Sequence, residues 1–267
     1  MGQKRKVLVA GATGYLGNIR STNTSRKSTR QESWNEMMNK TEFESLDDMA
    51  RETAAALVKA ASGSAFKLFQ DRQFRRLAGF EKLNQTEQDR IFNELVVAFV
   101  ILIRLVLEAP DLRAEAEFRN YLSDLNKKIP KAHIDYLRAS GVENKYLRDW
   151  EKLINLRYEE YARDRHDVRA AAMQIESSEK RLDLNDLSKI QMFVPVQAVA
   201  IGCHHHICRG DTAGKDDLYK MTLGSLSKFY VLIRVRFEGG KLTPMMQMKT
   251  TLKRIIRRMG KGRDPQP

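Results

Sequence analysis

Residues 95–107 form a nearly continuous apolar run, LVVAFVILIRLVL, in which Arg104 is the one charged side chain. The run is 13 residues long, whereas a membrane-crossing helix needs about 20 apolar residues. A helix that is apolar on every side must be covered by other elements, so the run predicts a helix buried inside a bundle. A capping pattern of Thr86 and Asp89 precedes it, and Pro110 is expected to stop it.

Further helical patterns lie on both sides of this run. In residues 143–176, apolar side chains recur mostly at three- or four-residue steps on an otherwise charged segment, which is typical of a bundle member. Gly63 and Pro130 are expected to mark helix ends. The fold class is therefore expected to be mainly α, with a helical bundle over residues 45–208. The helices are expected at about residues 45–62, 64–82, 87–108, 111–127, 143–176 and 186–208.

The chain divides into three segments by composition. Residues 1–44 are expected to form a short strand, a glycine turn and a basic polar linker. Residues 45–208 contain the expected bundle, and residues 209–267 form a basic C-terminal segment.

The C-terminal segment contains two expected elements. Residues 229–237, FYVLIRVRF, alternate between apolar and other side chains, which predicts a strand or hairpin. A helix running on from about residue 216 is the competing interpretation. Thr243 and Pro244 are typical of a helix start, so an amphipathic helix is expected from there to Gly260.

The net charge of the chain is +13, and the excess lies at its two ends. Residues 1–30 contain seven Lys and Arg with no acidic residue, and residues 209–267 contain 14 basic and five acidic residues. Residues 31–208 contain 26 basic and 29 acidic residues. This distribution indicates an anionic partner, which is nucleic acid, an anionic membrane surface or an acidic protein. The alternative is a solvated surface that only keeps the protein soluble.

The last expected helix combines an apolar stripe with a dense set of cations. The stripe can dock on the bundle with the charges outward, which fits nucleic acid or an acidic protein, or it can enter an anionic lipid surface. Docking on the bundle is the first expectation. The residues expected to contact the anionic partner are Lys249, Lys253, Arg254, Arg257 and Arg258.

A short apolar segment, expected to form a strand, is followed by three glycines, Gly11, Gly14 and Gly17, in the sequence VLVAGATGYLG. Glycines at this spacing let the backbone approach a pyrophosphate at the start of a helix. Residues 6–18 resemble the opening of the NmrA-like, atypical short-chain dehydrogenase family, which implies NAD(P) binding at these glycines and an oxidoreductase-like function. The residues that follow supply neither an apolar helix face nor a second strand. We therefore expect a strand that pairs elsewhere, or a fragment of such a fold, and no nicotinamide binding.

Residues 203–208, CHHHIC, contain five side chains that can ligate a metal ion. On a helix, His204 and Cys208 share one face at a spacing of four residues, and Cys203 and His206 share another at a spacing of three. Each pair would be half of a tetrahedral zinc site.

The other two ligands of such a site would come from elsewhere, and the remaining histidines, His133 and His166, are the candidates. A structural alternative packs both cysteines in the core and bonds the histidines to carboxylates, such as those of residues 143–176. A catalytic Cys–His pair is a further alternative, because a cysteine with a lowered pKa is a nucleophile.

These patterns favour a non-enzymatic binding or adaptor protein that contacts an anionic partner in the cytoplasm. Two cysteines are too few for a disulfide scaffold. An NAD(P)-binding oxidoreductase-like protein and a metal-binding helical protein are the alternatives.

Overall fold

The computed structural model describes residues 46–108, 116–179 and 183–237, and all regular secondary structure in these ranges is helical. The expected mainly α fold, a helical bundle, is confirmed. Along the chain the elements are α1 (Leu46–Phe69), α2 (Arg72–Leu77), a 3-10 turn (Phe80–Lys82), α3 (Gln85–Leu107), α4 (Ala116–Ala139), α5 (Asn144–Glu179), α6 (Leu184–Ile207) and α7 (Asp216–Phe237).

Helix α3 lies at the centre of the bundle. It contacts α1, α4, α5, α6 and α7, and every residue from Ile91 to Ile103 is buried. The interpretation of residues 95–107 as a buried bundle helix is therefore confirmed, because neighbouring helices cover its apolar surface on all sides. Among the helices described, none combines the length and the apolar content that crossing a bilayer requires.

The charged Arg104 is accommodated where α3 meets α4 and α5. Its guanidinium carbon lies 3.5 Å from the centre of the Tyr158 ring, and its Nε donates to Asn126 Oδ1 at 3.3 Å. The amide of Asn126 donates to Glu108 Oε1 at 2.7 Å, and the Tyr158 hydroxyl donates to the same oxygen at 2.5 Å. The cation thus keeps an aromatic ring and one hydrogen-bond partner, Asn126, which offsets part of the cost of its partial burial.

Helices α1 and α4 run in opposite directions and form the most extensive helix pair. Tyr121 Oη donates to Thr53 Oγ1 at 3.0 Å. Further along α4, Lys128 Nζ lies 2.6 Å from Asp47 Oδ1, nearer the start of α1. Residue numbers therefore rise along one helix as they fall along the other.

Helix α7 belongs to the same hydrophobic core. Leu218 and Ile233 are buried within the cluster formed by the earlier helices. Phe229 meets Phe99 of α3 edge to face, with ring centres 5.2 Å apart. The core of the described residues therefore extends beyond residue 208 into the C-terminal segment, where Ile233 is buried in it and Phe237 packs against it.

The strand expected over residues 229–237 is wrong, because this stretch is the last part of α7. A strand would bury alternate side chains, yet the neighbours Phe229 and Tyr230 are both buried, and Val231 is only half-buried. The buried Leu226, Tyr230 and Ile233 instead recur at helical steps of four and three residues. The strand preference of aromatic and β-branched residues depends on context, and packing against the bundle overrides it here.

Two expected helix ends are also wrong. Gly63 lies inside α1 and Pro130 lies inside α4. The buried face of α1 continues beyond the glycine to Phe66, and that of α4 continues beyond the proline to Leu137. An interior glycine costs about 1 kcal/mol relative to alanine and an interior proline about 3 kcal/mol. Burying an apolar face of several side chains, each about 1.5–3 kcal/mol, outweighs both.

The single helix expected over residues 64–82 is divided into the end of α1, the short α2 and the 3-10 turn. The start of α3 also differs from expectation. Asn84 caps this helix, since its Oδ1 accepts the backbone N–H of Glu87 at 3.0 Å. Thr86 lies inside the first turn, so the helix begins at Gln85, two residues earlier than the expected start at about residue 87.

Candidate functional site: the Cys203–Cys208 segment and its charged neighbours

The CHHHIC segment forms the end of α6 and the residue just after it. Consecutive side chains on a helix point about 100° apart, so the six residues face different neighbours. Cys203 and His204 are buried, His206 and Cys208 are half-buried, and His205 is exposed. The segment therefore joins α6 to several helices rather than converging on one centre.

His206 contacts α5 through its ring edge and its ring face. Its Nε2 lies 2.8 Å from Glu160 Oε1, within hydrogen-bond distance, and its ring stacks on Tyr161 with centres 6.2 Å apart. Burial lowers the pKa of His206, although the charges of Glu94 and Glu160 oppose this effect. A neutral imidazole that donates from Nε2 to the carboxylate satisfies this geometry.

Arg157 links Glu160 to a buried carboxylate on the central helix. Its guanidinium donates to Glu94 Oε1 at 2.8 Å and Oε2 at 3.1 Å, and to Glu160 Oε2 at 3.1 Å. Burial alone would lower the pKa of Arg157, but the hydrogen bonds and charge of Glu94 outweigh it and raise the pKa. Glu94, Arg157, Glu160 and His206 thus form one polar chain across α3, α5 and α6.

The two cysteines are poorly suited to nucleophilic chemistry. Cys203 is fully buried, with its Sγ 3.9 Å from the backbone carbonyl oxygen of Glu94. Burial raises the pKa of Cys203 well above its ordinary value, and it also raises the pKa of the half-buried Cys208. Since the thiolate is the reactive form, both side chains are held as thiols at neutral pH.

A glycine on α6 makes room for the ring of Tyr161. A Cβ atom placed on Gly202 would lie 3.0 Å or less from three atoms of that ring. The Tyr161 side chain is fully buried, and burial raises its pKa well above the ordinary value. Gly202 therefore permits the close approach of α5 and α6 beside the polar chain.

A second set of charges fixes the end of α6 to α3. Arg90 donates from Nη1 to the carbonyl oxygen of His206 at 2.7 Å and from Nη2 to that of Ile207 at 3.0 Å. Glu87 pairs with Arg90 at 3.0 Å and with Arg209 as well. A cation at a helix C-terminus satisfies carbonyl groups that have no partner within the helix.

The structure separates the residues expected to ligate a metal ion. Cys203 faces α3 and His206 faces Glu160, whereas His204 packs on the ring of Tyr219 with centres 5.6 Å apart. Across the described ranges, no group of three or more His, Cys, Asp and Glu side chains is placed to hold a metal ion.

The other two histidines lie in different surroundings from each other. His133 is fully buried with its ring centre 5.5 Å from that of Trp150, and His166 is exposed on α5. The contact between His206 and Glu160 is of the kind that the structural interpretation of the segment expects, since Glu160 lies within residues 143–176.

Sequence reasoning missed the residues that complete this site, namely Glu94, Arg157 and Glu160. A usable signal was present, because Glu94 directly precedes the apolar run of residues 95–107. A carboxylate buried in such a helix requires a charged or hydrogen-bonding partner.

Two further sets of expected site residues lie outside the described residues. These are Gly11, Gly14 and Gly17 for the cofactor and Lys249, Lys253, Arg254, Arg257 and Arg258 for the anionic partner. Comparison of the chain with protein-family models, with curated proteins and with solved structures finds no match.

Proposed function

We propose that this chain is a non-enzymatic binding module whose helical bundle carries basic segments to an anionic macromolecule. The observation that carries the proposal is the division of charge along the chain. Residues 31–208 are nearly neutral, whereas residues 241–267 contain eight Lys and Arg and one Asp. A basic segment of this density concentrates anionic partners near the protein by long-range attraction.

The chemistry of the bundle supports binding over catalysis. The imidazole of His206 is engaged by Glu160, and the thiol of Cys203 is buried against the backbone of α3. Glu94 and Arg157 satisfy each other in the interior. These groups hold α3, α5 and α6 together. Because their polar atoms already have partners within the bundle, they are not available to a substrate.

The basic C-terminal residues are the proposed contact. Arg254, Arg257 and Arg258 recur at helical spacing, and each can neutralise one phosphate or one anionic headgroup. Binding of this kind weakens steeply as salt concentration rises, because each contact releases a condensed counterion.

The test uses the full chain and a variant in which Arg254, Arg257 and Arg258 are replaced by Gln. Binding to a fluorescent DNA duplex of mixed sequence is measured by anisotropy at several salt concentrations. Binding to vesicles of phosphatidylcholine and phosphatidylserine is measured by co-sedimentation. A matched control removes three exposed cations from α5 instead, through Arg148→Gln, Lys152→Gln and Arg169→Gln.

The expected result is weaker binding of the anionic probes by the C-terminal variant and little change in the control. The log–log salt slope of duplex binding should fall by about 0.9 for each phosphate that the variant no longer neutralises. The proposal is wrong if the parent protein binds neither probe at low salt. It is also wrong if both triple variants weaken binding equally, because that would reflect net charge alone.

A further inference from the structure

The short helix α2 and the elements on either side of it form an exposed basic corner of the bundle. Residues 67–82 contain five basic and two acidic residues. Four of the basic side chains, Lys67, Arg72, Arg76 and Lys82, are exposed. These four residues are called the α2 corner below.

An aromatic cluster gives the α2 corner a fixed base. The rings of Phe69 and Phe80 have centres 5.3 Å apart, and those of Phe74 and Phe80 have centres 6.1 Å apart. The fifth basic residue, Arg75, lies with its guanidinium carbon 4.5 Å from the centre of the Phe80 ring. Asp71 caps α2 by accepting two backbone N–H groups of its first turn, at 2.8 Å and 3.2 Å. The corner is therefore an ordered part of the bundle.

Helix geometry directs the two arginines of α2 away from the core. Phe74 is fully buried and defines the inner face of α2. Arg72 and Arg76 each lie two residues from Phe74, which places them about 160° around the helix axis from it. They are one turn apart, so their side chains are neighbours on the outer face.

The four cations of the α2 corner have no partner among the described residues. None of the side chains of Lys67, Arg72, Arg76 and Lys82 takes part in a hydrogen bond or ion pair with another described residue. Arg157, by contrast, forms ion pairs with both Glu94 and Glu160. Exposed cations without an ion-pair partner in the described fold are available to pair with an external anion.

The composition of the surface distinguishes between anionic partners. Among the described residues, the large apolar side chains that are strongly exposed are Leu156, Ile175, Ile201 and Leu232, and all four lie on α5, α6 or α7. A membrane-binding surface needs an apolar face to enter the lipid, and the phenylalanines of this corner are buried.

Phosphodiester groups match what the corner does expose. The guanidinium groups of Arg72 and Arg76 can each hold a phosphate with two hydrogen bonds, and Gln70 and Gln73 add exposed amide donors. We infer that the α2 corner binds the sugar–phosphate backbone of a nucleic acid. The contact should not depend on base sequence, because its donors bind phosphate oxygens, which are the same at every nucleotide.

This inference shares only the negative charge of the partner with the proposed function. It uses residues of the bundle itself, whereas the proposed function uses the C-terminal cations. The two can therefore fail separately.

The experiment measures anisotropy of a fluorescent DNA duplex with the full chain at several salt concentrations. The corner variant carries Arg72→Gln and Arg76→Gln, and Arg75 is kept because it packs on Phe80. The matched control carries Arg148→Gln and Lys152→Gln, which removes the same charge from α5. A conservative variant, Arg72→Lys with Arg76→Lys, keeps the charge and loses the paired donors. Circular dichroism verifies that each variant is folded.

We expect the corner variant to bind the duplex more weakly, with a log–log salt slope lower by about 1.8, or about 0.9 for each phosphate that is no longer neutralised. The control should retain the parent slope, and the lysine variant should retain most of it. The inference is overturned if the corner variant binds the duplex like the parent. If the C-terminal variant then weakens binding, the proposed function stands alone.

Vesicles of phosphatidylcholine and phosphatidylserine provide the second arm of the experiment. A corner variant that loses vesicle binding while keeping duplex binding would overturn the inference in favour of a lipid surface. Loss of duplex binding in the corner variant with an unaffected C-terminal variant would support the inference and refute the proposed C-terminal contact.

Discussion

The guanidinium of Arg157 on α5 holds both oxygens of the Glu94 carboxylate on α3, at 2.8 Å and 3.1 Å. The two side chains are 14% and 8% exposed, so little water reaches the pair. Removing two charges from water costs free energy that their attraction offsets only when the geometry is good. The pair therefore contributes chiefly by fixing how α5 crosses α3, because moving the helices apart would leave the Glu94 carboxylate buried without its countercharge.

Breaking this pair on one side should be more harmful than removing it. Arg157→Met leaves Glu94 buried without its countercharge, and we expect the free energy of unfolding to fall by about 3–5 kcal/mol. The double variant Glu94→Leu with Arg157→Met removes both charges and should be the more stable of the two. Urea unfolding followed by circular dichroism measures both values. Equal destabilisation of the single and double variants would contradict the expected cost of an unpaired buried charge.

The buried His133 should make the protein sensitive to acid. Its ring packs on Trp150, and burial lowers its pKa from 6.5 to about 4. The unfolded chain therefore takes up the proton first, so stability is lost as pH falls from about 6.5 to about 4 and is unaffected above that window. The shift corresponds to about 3 kcal/mol at the acid end.

A His133→Leu variant tests this effect. Urea unfolding of parent and variant at about pH 7 and about pH 4.5 should show a smaller acid loss in the variant. Burial also lowers the pKa values of His204 and His206, so the variant keeps part of the acid sensitivity. The same acid loss in both proteins would mean that His133 is not the buried neutral group described above.

The two cysteines should differ in their reaction with thiol reagents. Cys203 is fully buried and Cys208 is half-buried, and burial raises the pKa of both thiols. Iodoacetamide at neutral pH should therefore modify Cys208 slowly and leave Cys203 unmodified until the protein is unfolded in urea. Peptide mass spectrometry identifies the modified position, with Cys208→Ser as the control. Rapid modification of native Cys203 would revive the catalytic Cys–His interpretation.

Two glycines within helices should respond to alanine in opposite ways. Gly202→Ala forces the added Cβ into the Tyr161 ring and should destabilise the bundle. Gly63→Ala places a Cβ in open space in α1 and should stabilise the protein by about 0.5–1 kcal/mol. Thermal unfolding compares both variants with the parent. Restoration of stability when Tyr161→Leu is added to Gly202→Ala would identify the ring contact as the cause.

The amino-acid sequence determined the fold class through short-range periodicity. Residues 95–107 are apolar on every side, and this alone requires a covered helix. The stripe on α5 likewise predicted the buried Leu147, Trp150 and Ile154. The same stripe continues to Ile175, which is 54% exposed. The pattern therefore predicted the helix correctly there, but the end of the helix extends beyond the part that packs against the core.

Predictions from local sequence were wrong where tertiary packing outweighed the local conformational preference. Gly63, Pro130 and the alternating residues 229–237 each carry a preference of about 1–3 kcal/mol against the observed helix. Burial of several apolar side chains against α3 exceeds these preferences, and that burial depends on neighbours that no short window of sequence contains.

The candidate site shows the same division between sequence and tertiary structure. The sequence identified CHHHIC as the segment richest in potential metal ligands and nucleophiles, yet the buried contacts of Cys203 and His206 are with residues far along the chain. Glu160 lies 46 residues before His206, and Arg157 lies 63 residues after Glu94. Periodicity specifies which face of a helix is buried, because that depends on residues three and four positions apart. Only the tertiary structure decides which buried charge meets which, because those pairs form when helices distant in sequence pack together.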